Sequence, residues 1–155
     1  MTTPSLDLLT QSLPENFSFY HLGVIALRDA VSDQSARTIP DPNDDRAALA
    51  YHLRGDVQAT VVLLLEPGLD VSMYSEAGNI IASKLATILA EKHGVDVVIS
   101  PPARLERTQL NLLASATQDI AEKTYVHSHA GKEVLLDALL LNYSAAKSPA
   151  DGRPV

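Results

Sequence analysis

Residues 70–94 read DVSMYSEAGNIIASKLATILAEKHG and form the most helix-like stretch of the chain. When successive residues are placed 100° apart, the apolar and small side chains collect on one side. These side chains are Tyr74, Ala77, Gly78, Ile81, Leu85, Ile88 and Leu89. Gly94 follows the last periodic residues, which is where a glycine typically ends a helix. The pattern therefore predicts a helix over residues 70–92 with one face packed on a core.

The opposite side of this helix carries few charges. Its outward row consists of Ser72, Glu76, Asn79, Ser83 and Thr87, whereas a solvated helix face normally carries several Lys, Glu or Arg residues. Glu76 and Asn79 lie three residues apart, so their side chains project side by side. A row so low in charge and bulk favours a second protein lying along it. The alternative is that Glu76 and Asn79 are ordinary surface residues.

Strand patterns surround the helix. We predict strands over residues 17–27, 47–54, 57–65, 95–100, 124–129 and 133–142. Gly55 and Gly131 lie in the short turns between two pairs of these strands, which favours antiparallel hairpins. Residues 105–121 are ambiguous, with a helix favoured by their length, and residues 5–13 predict a short helix that Pro14 stops. The pattern predicts an α+β fold, a largely antiparallel sheet with long helices packed on it.

Composition narrows the class of protein. The chain has 155 residues, 46% of them hydrophobic, a net charge of -7 and no cysteine. This length predicts one domain over residues 1–143, followed by a flexible polar tail over residues 144–155. Residues 28–46 predict a surface loop, since they contain two prolines and a run of Asx residues. The absence of cysteine excludes disulfides and thiolate metal sites.

Charge and hydropathy also bear on partners and location. Clustered basic residues carry nucleic-acid binding, so the acidic balance argues against a nucleic-acid partner. The longest aliphatic run, residues 61–65, is far too short to span a membrane. Residues 1–14 lack the basic start and apolar core of a secretory signal. We therefore expect a cytoplasmic protein with no membrane contact.

The spacing within and beyond the helix resembles a known signature. Ser72, Glu76, Asn79 and Pro102 are separated by three, two and twenty-two residues, which is the Asp/Ser-x3-Glu-x2-Asn-x22-Pro pattern of the CheC/CheX/FliY phosphatases of bacterial chemotaxis. Glu76 is the only glutamate followed three residues later by an asparagine. The chain therefore resembles the single-site, CheX-like members most closely.

The resemblance implies an activity, a partner and an assembly. Members of this family hydrolyse the aspartyl phosphate of a CheY-type response regulator in two-component signalling. Asn79 would then enter the regulator's active site and orient the attacking water, and Glu76 would pair with a lysine of the receiver domain. Ser72 would cap or begin the helix, Pro102 would shape the strand exit, and Ser83 and Thr87 would extend the docking face. The resemblance implies no metal or cofactor of the chain's own, because the Mg²⁺ belongs to the receiver, and it implies a homodimer.

Two other functions remain open. The first is a non-catalytic interaction module of the same fold, which would keep the flat helix face in a two-component or flagellar signalling complex. The second is a metal-dependent enzyme that uses His127 and His129, which share one face of a predicted strand. No third ligand is evident from the sequence, so a solvent-facing hairpin is the favoured interpretation of the two histidines.

Overall fold

A computed structural model of the chain describes residues 6–19, 23–31, 45–117 and 119–143. The helices in these ranges are α1 (Leu6–Gln11), α2 (Val71–His93) and α3 (Arg107–Ser115). The strands are β1 (Asn16–Phe19), β2 (Gly23–Val31), β3 (Ala47–Gly55), β4 (Ala59–Leu65), β5 (Val97–Ile99), β6 (Ala103–Leu105), β7 (Asp119–His129) and β8 (Lys132–Asn142). The predicted tail, residues 144–155, and most of the predicted loop, residues 32–44, lie outside the described residues.

The strands form one antiparallel sheet that curls around α2. Their order is β1-β2-β7-β8-β4-β3-β5, and β6 pairs with the same strand, β3, as β5 does. Strands β1 and β5, at opposite ends of this order, both contact α2. The predicted α+β class and antiparallel sheet are confirmed. Among the described residues one helix is long, α2 with 23 residues, whereas α1 has 6 and α3 has 9.

Both faces of the central strands are buried. Alternate residues of β3 and β4, among them Tyr51 and Leu63, pack against α2 and α1. The residues between them, such as Val62 and Leu64, pack against Leu110 of α3 on the other face. Every residue of β4 is buried, which explains the continuous aliphatic run in the sequence. In the described ranges, no helix is both long and apolar enough to cross a membrane.

The predictions for individual strands differ in outcome. The hairpins β3–β4 and β7–β8 form as expected, with Ala130 and Gly131 both at positive φ in the second turn. The single strand predicted over residues 17–27 is wrong. Phe17 instead pairs with Ile25, so this segment contributes two antiparallel strands. The physical reason is a reversal between them: β2 starts at Gly23, whose φ of +78° is a conformation that glycine adopts without penalty.

Strands also occupy part of two other segments, residues 28–46 and residues 105–121. Residues 28–31, predicted as the start of a loop, instead belong to β2, which pairs with β7 up to Val31. Residues 105–121 divide between the end of β6, the helix α3 and the start of β7. The helix favoured by length is thus shorter than the segment, because β7 pairs with β8 from Asp119 onward.

Helix α2 is capped at both ends. The side chain of Asp70 accepts hydrogen bonds from the backbone N–H groups of Ser72 and Met73, at 3.0 and 3.3 Å. Gly94 adopts φ +67°, and its N–H donates to the carbonyl of Ala90. The helix predicted from the sequence is confirmed almost to the residue. Ser72 lies within its first turn but does not cap it, because the Asp70 carboxylate satisfies the first free N–H groups.

Candidate functional site

Glu76 and Asn79 lie on the exposed side of α2, one turn apart. The residues beside them, Ala77 and Gly78, are buried against the sheet. Neither Glu76 nor Asn79 uses its side chain in a hydrogen bond or ion pair within the described part of the chain. The carboxylate and the carboxamide are therefore both available to a partner, on a helix whose other face is fixed by the core.

The exposed row continues along the helix. Ser72, Ser83 and Thr87 are all exposed, as the periodicity predicts. At 1.5 Å of rise per residue, the row from Ser72 to Thr87 is about 22 Å long. At its far end lies a cleft between α2 and the segment before β1, lined by Pro14, Glu15, Asn16, Lys84, Thr87 and Ile88. The row thus presents a continuous surface with a recess at one end.

Tyr51 of β3 lies directly beneath the turn that carries the pair. Its side chain is completely buried, and its hydroxyl donates a hydrogen bond to the carbonyl of Ser75, at 2.5 Å. Burial raises the pKa of Tyr51 well above its ordinary value, so the hydroxyl stays protonated and remains a donor. No sequence pattern pointed to Tyr51. The one signal was Gly78, a glycine in the middle of a long helix, where glycine is otherwise unfavourable.

Pro102 lies in the segment that separates β5 from β6. Ile99 pairs with Leu53 and Ala103 pairs with Ala50, so three residues on this edge, 100–102, lie opposite two on β3, 51–52. Such an extra residue is a bulge, and proline fits there because it has no N–H to donate to the ladder. The register places Pro102 on the sheet edge at the level of Tyr51, and Pro102 is exposed.

Ser100 holds the start of the same segment to β3. Its N–H donates to the carbonyl of His52, and its hydroxyl accepts from the N–H of His52, both at 2.9 Å. Two hydrogen bonds thus fix the edge strand just before the prolines. Pro102 thus follows directly after a segment that two hydrogen bonds hold to β3.

The two histidines of β7 occupy different environments. His127 is buried, and its Nε2 lies 3.1 Å from the hydroxyl of Tyr74, whereas His129 is exposed. Their rings are 6.2 Å apart. The solvent-facing interpretation is therefore wrong for His127, because α2 covers it. Within the described residues, no three His, Cys, Asp or Glu side chains are placed to hold a metal ion.

Comparisons with known proteins agree on this region and on the fold. A model of the CheC-like family matches residues 72–106, which include Ser72, Glu76, Asn79 and Pro102. The crystal structure of FliY from Thermotoga maritima superposes with a TM-score of 0.51 at 17% sequence identity, over 82% of this chain and 79% of that one. No curated protein sequence matches the chain significantly. The signature residues thus lie within the CheC-like match, and the fold of the chain resembles that of FliY.

Proposed function

We propose that this protein hydrolyses the aspartyl phosphate of a CheY-type response regulator. The observation that carries the proposal is the pair Glu76 and Asn79, both exposed and without a side-chain partner in the described residues. The pair lies within the segment that matches the CheC-like family. A surface carboxamide beside a surface carboxylate on a rigid helix can enter the active site of another protein.

Hydrolysis of the aspartyl phosphate depends on the position of the attacking water more than on an additional catalytic group. Water attacks the phosphorus, the bond between phosphorus and the aspartyl oxygen breaks, the carboxylate leaves, and the proton of the water passes to the released phosphate. The receiver's own Mg²⁺ neutralises charge on the phosphoryl oxygens. The carboxamide of Asn79 both donates and accepts hydrogen bonds, so it can hold a water in line with phosphorus. Such alignment is worth on the order of a hundredfold in rate, about 3 kcal/mol.

The remaining residues of the row act in docking. Glu76 pairs with a receiver lysine through a charge-assisted hydrogen bond, which sets the register of the two proteins. Ser83 and Thr87 are small enough to let the receiver lie along α2. Ser72 and Pro102 support the backbone of the elements around the site and contact no reacting atom. In this proposal the protein is a cytoplasmic homodimer of a chemotaxis or related two-component circuit, with one domain over residues 1–143.

The decisive experiment follows the decay of a phosphorylated CheY-type receiver with the protein added. The wild-type protein is expected to speed the decay, and Glu76→Ala and Asn79→Ala to lose most of the effect. Glu91→Ala and Asn111→Ala are matched controls, because both residues are exposed on helices outside the row. No acceleration by wild type across a panel of receivers, or equal loss in the controls, would contradict the proposal.

The alternative is a non-catalytic module that binds receivers. It is favoured by the row itself, whose low charge and length of about 22 Å suit a docking surface whether or not chemistry follows. In the same experiment, this function predicts binding of the phosphorylated receiver with no change in its decay. Loss of binding in a Ser83→Arg variant would then locate the interface on α2.

A further inference from the structure

The contact between Tyr51 and α2 is centred on the turn that carries the proposed site. The hydroxyl of Tyr51 donates to the carbonyl of Ser75. In an α-helix, this carbonyl is also the acceptor for the N–H of the residue four positions later, which is Asn79. The carbonyl oxygen of Ser75 thus accepts two hydrogen bonds, one from the Tyr51 hydroxyl and one from the backbone N–H of Asn79.

Gly78 lets the helix approach the tyrosine ring. A Cβ atom built on Gly78 would lie 2.5 Å from Cε1 and 2.6 Å from Cζ of Tyr51. No side chain fits at such distances, so any larger residue would push the helix away from β3 or displace the ring. Since Tyr51 is completely buried within the core, the ring has little room to move.

From this geometry we infer that Tyr51, seated against Gly78, is a positioning residue that sets the height of Asn79 above the sheet. Ser75 and Gly78 directly precede Glu76 and Asn79 in the sequence, so a shift of the helix at the tyrosine moves the pair with it. The inference rests on the proposed phosphatase function. A misplacement of about 1 Å can cost on the order of a hundredfold in a reaction that depends on alignment.

The test separates the maximal rate from binding. Decay of a phosphorylated receiver is measured over a range of protein concentrations, which yields a maximal rate and a half-saturating concentration. Binding is measured separately with a receiver carrying beryllofluoride in place of phosphate. Tyr51→Phe is expected to lower the maximal rate by about tenfold and Gly78→Ala by about a hundredfold, with the dissociation constant changed by less than about threefold.

Tyr125→Phe is the matched control. Tyr125 is also completely buried, and its hydroxyl donates to the carbonyl of Pro14 at 2.8 Å, near the cleft at the far end of the row and not at the turn that carries Glu76 and Asn79. This variant loses an equivalent hydrogen bond, so a merely structural role for tyrosine hydroxyls predicts the same loss of activity in both variants. The positioning role predicts that Tyr125→Phe keeps the wild-type maximal rate.

The outcomes are distinguishable. A wild-type protein that does not speed decay overturns the proposed function and this inference together. An active wild-type protein whose rate survives Tyr51→Phe, or falls equally in Tyr125→Phe, overturns the positioning role and leaves the phosphatase function standing. If Gly78→Ala fails to fold, Tyr51→Phe decides the question alone, because it keeps the ring and removes only the hydroxyl.

Discussion

The hydroxyl of Tyr74 lies 3.1 Å from Nε2 of His127, which ties the first turn of α2 to strand β7. Burial lowers the pKa of His127, and the neighbouring His129 adds to this effect, while a backbone hydrogen bond at Ser128 opposes it. Burial also lowers the pKa of His52, with a further contribution from the charge of Arg54. The folded protein therefore resists protonation of two imidazoles.

This resistance predicts a loss of stability in mild acid. In the unfolded chain the two histidines take up protons near the ordinary pKa of about 6.5. The unfolded state then binds more protons than the folded state, so the free energy of unfolding falls as the pH drops below about 6.5 and is fully retained above it. Urea unfolding between about pH 7.5 and pH 5.5 measures the slope. We expect His127→Gln and His52→Gln each to reduce the slope. A slope unaffected by His127→Gln would contradict the assignment.

The capping of α2 yields a second prediction. Asp70→Ala removes the acceptor for two N–H groups and is expected to lower the free energy of unfolding by about 1 kcal/mol. Ser72→Ala should change it by less than about 0.5 kcal/mol, because the Ser72 side chain does not cap the helix. Urea unfolding compares the two variants. A larger loss in Ser72→Ala would restore that residue as the cap.

The elements that the sequence predicted well are those whose pattern lies within one continuous stretch of residues. The helix α2 shows its period, its cap and its terminal glycine within one continuous stretch, so its bounds were predictable. The hairpin β7–β8 was predictable because Gly131 lies between two strand patterns, and glycine favours such a turn. The positive φ of Ala130 in the same turn is not a preference of alanine and was not predictable. Strand β5 lies within the strand predicted over residues 95–100. Strand β6, with 3 residues, is too short to show a period and was not predicted; it forms by pairing with the edge of β3.

The same reasoning applies to the candidate site. Glu76 and Asn79 belong to one helix turn, so their spacing alone placed them on one face. Tyr51 lies on a strand before the helix and reaches Ser75 only through packing of the sheet on α2. No periodicity of either segment encodes that contact. Gly78, in the middle of the helix, indicates that another group approaches the helix closely there. It does not indicate which residue that group belongs to.

A partly buried ion pair on the α3 face of the sheet leads to a third prediction. Asp137 accepts from Arg46 at 2.5 Å and from the hydroxyl of Thr124 at 2.7 Å. Its side chain is 18% exposed, whereas Glu133, paired with Arg28 at 3.1 Å, is 60% exposed. Asp137→Ala removes the acceptor of the partly buried Thr124 hydroxyl and one ionic partner of Arg46, and should cost about 1–3 kcal/mol. Glu133→Ala should cost less than about 1 kcal/mol, since exposed pairs contribute little. Equal losses in urea unfolding would contradict this difference in burial.

Charge should govern how fast a receiver docks. Under the proposed function, a chain with a net charge of -7 docks on a receiver active site that is itself acidic, so we expect the two proteins to repel each other at low salt. Lys84 is exposed and borders both the row and the cleft at its end, where its positive charge offsets that repulsion. Lys84→Glu is therefore expected to raise the half-saturating concentration several-fold while leaving the maximal rate of receiver dephosphorylation unchanged.

Salt provides the control for this last prediction. Exposed charges are screened over about 8 Å at physiological ionic strength and over about 3 Å at 1 M, so added salt should shrink the difference between Lys84→Glu and wild type. Lys92→Glu makes the same charge change at the exposed end of α2, beyond the row, and should have a smaller effect at every salt concentration. If both variants raise the half-saturating concentration equally, net charge alone governs docking and the location of Lys84 beside the row has no special part in it. If neither does, the receiver docks on a surface other than this side of α2.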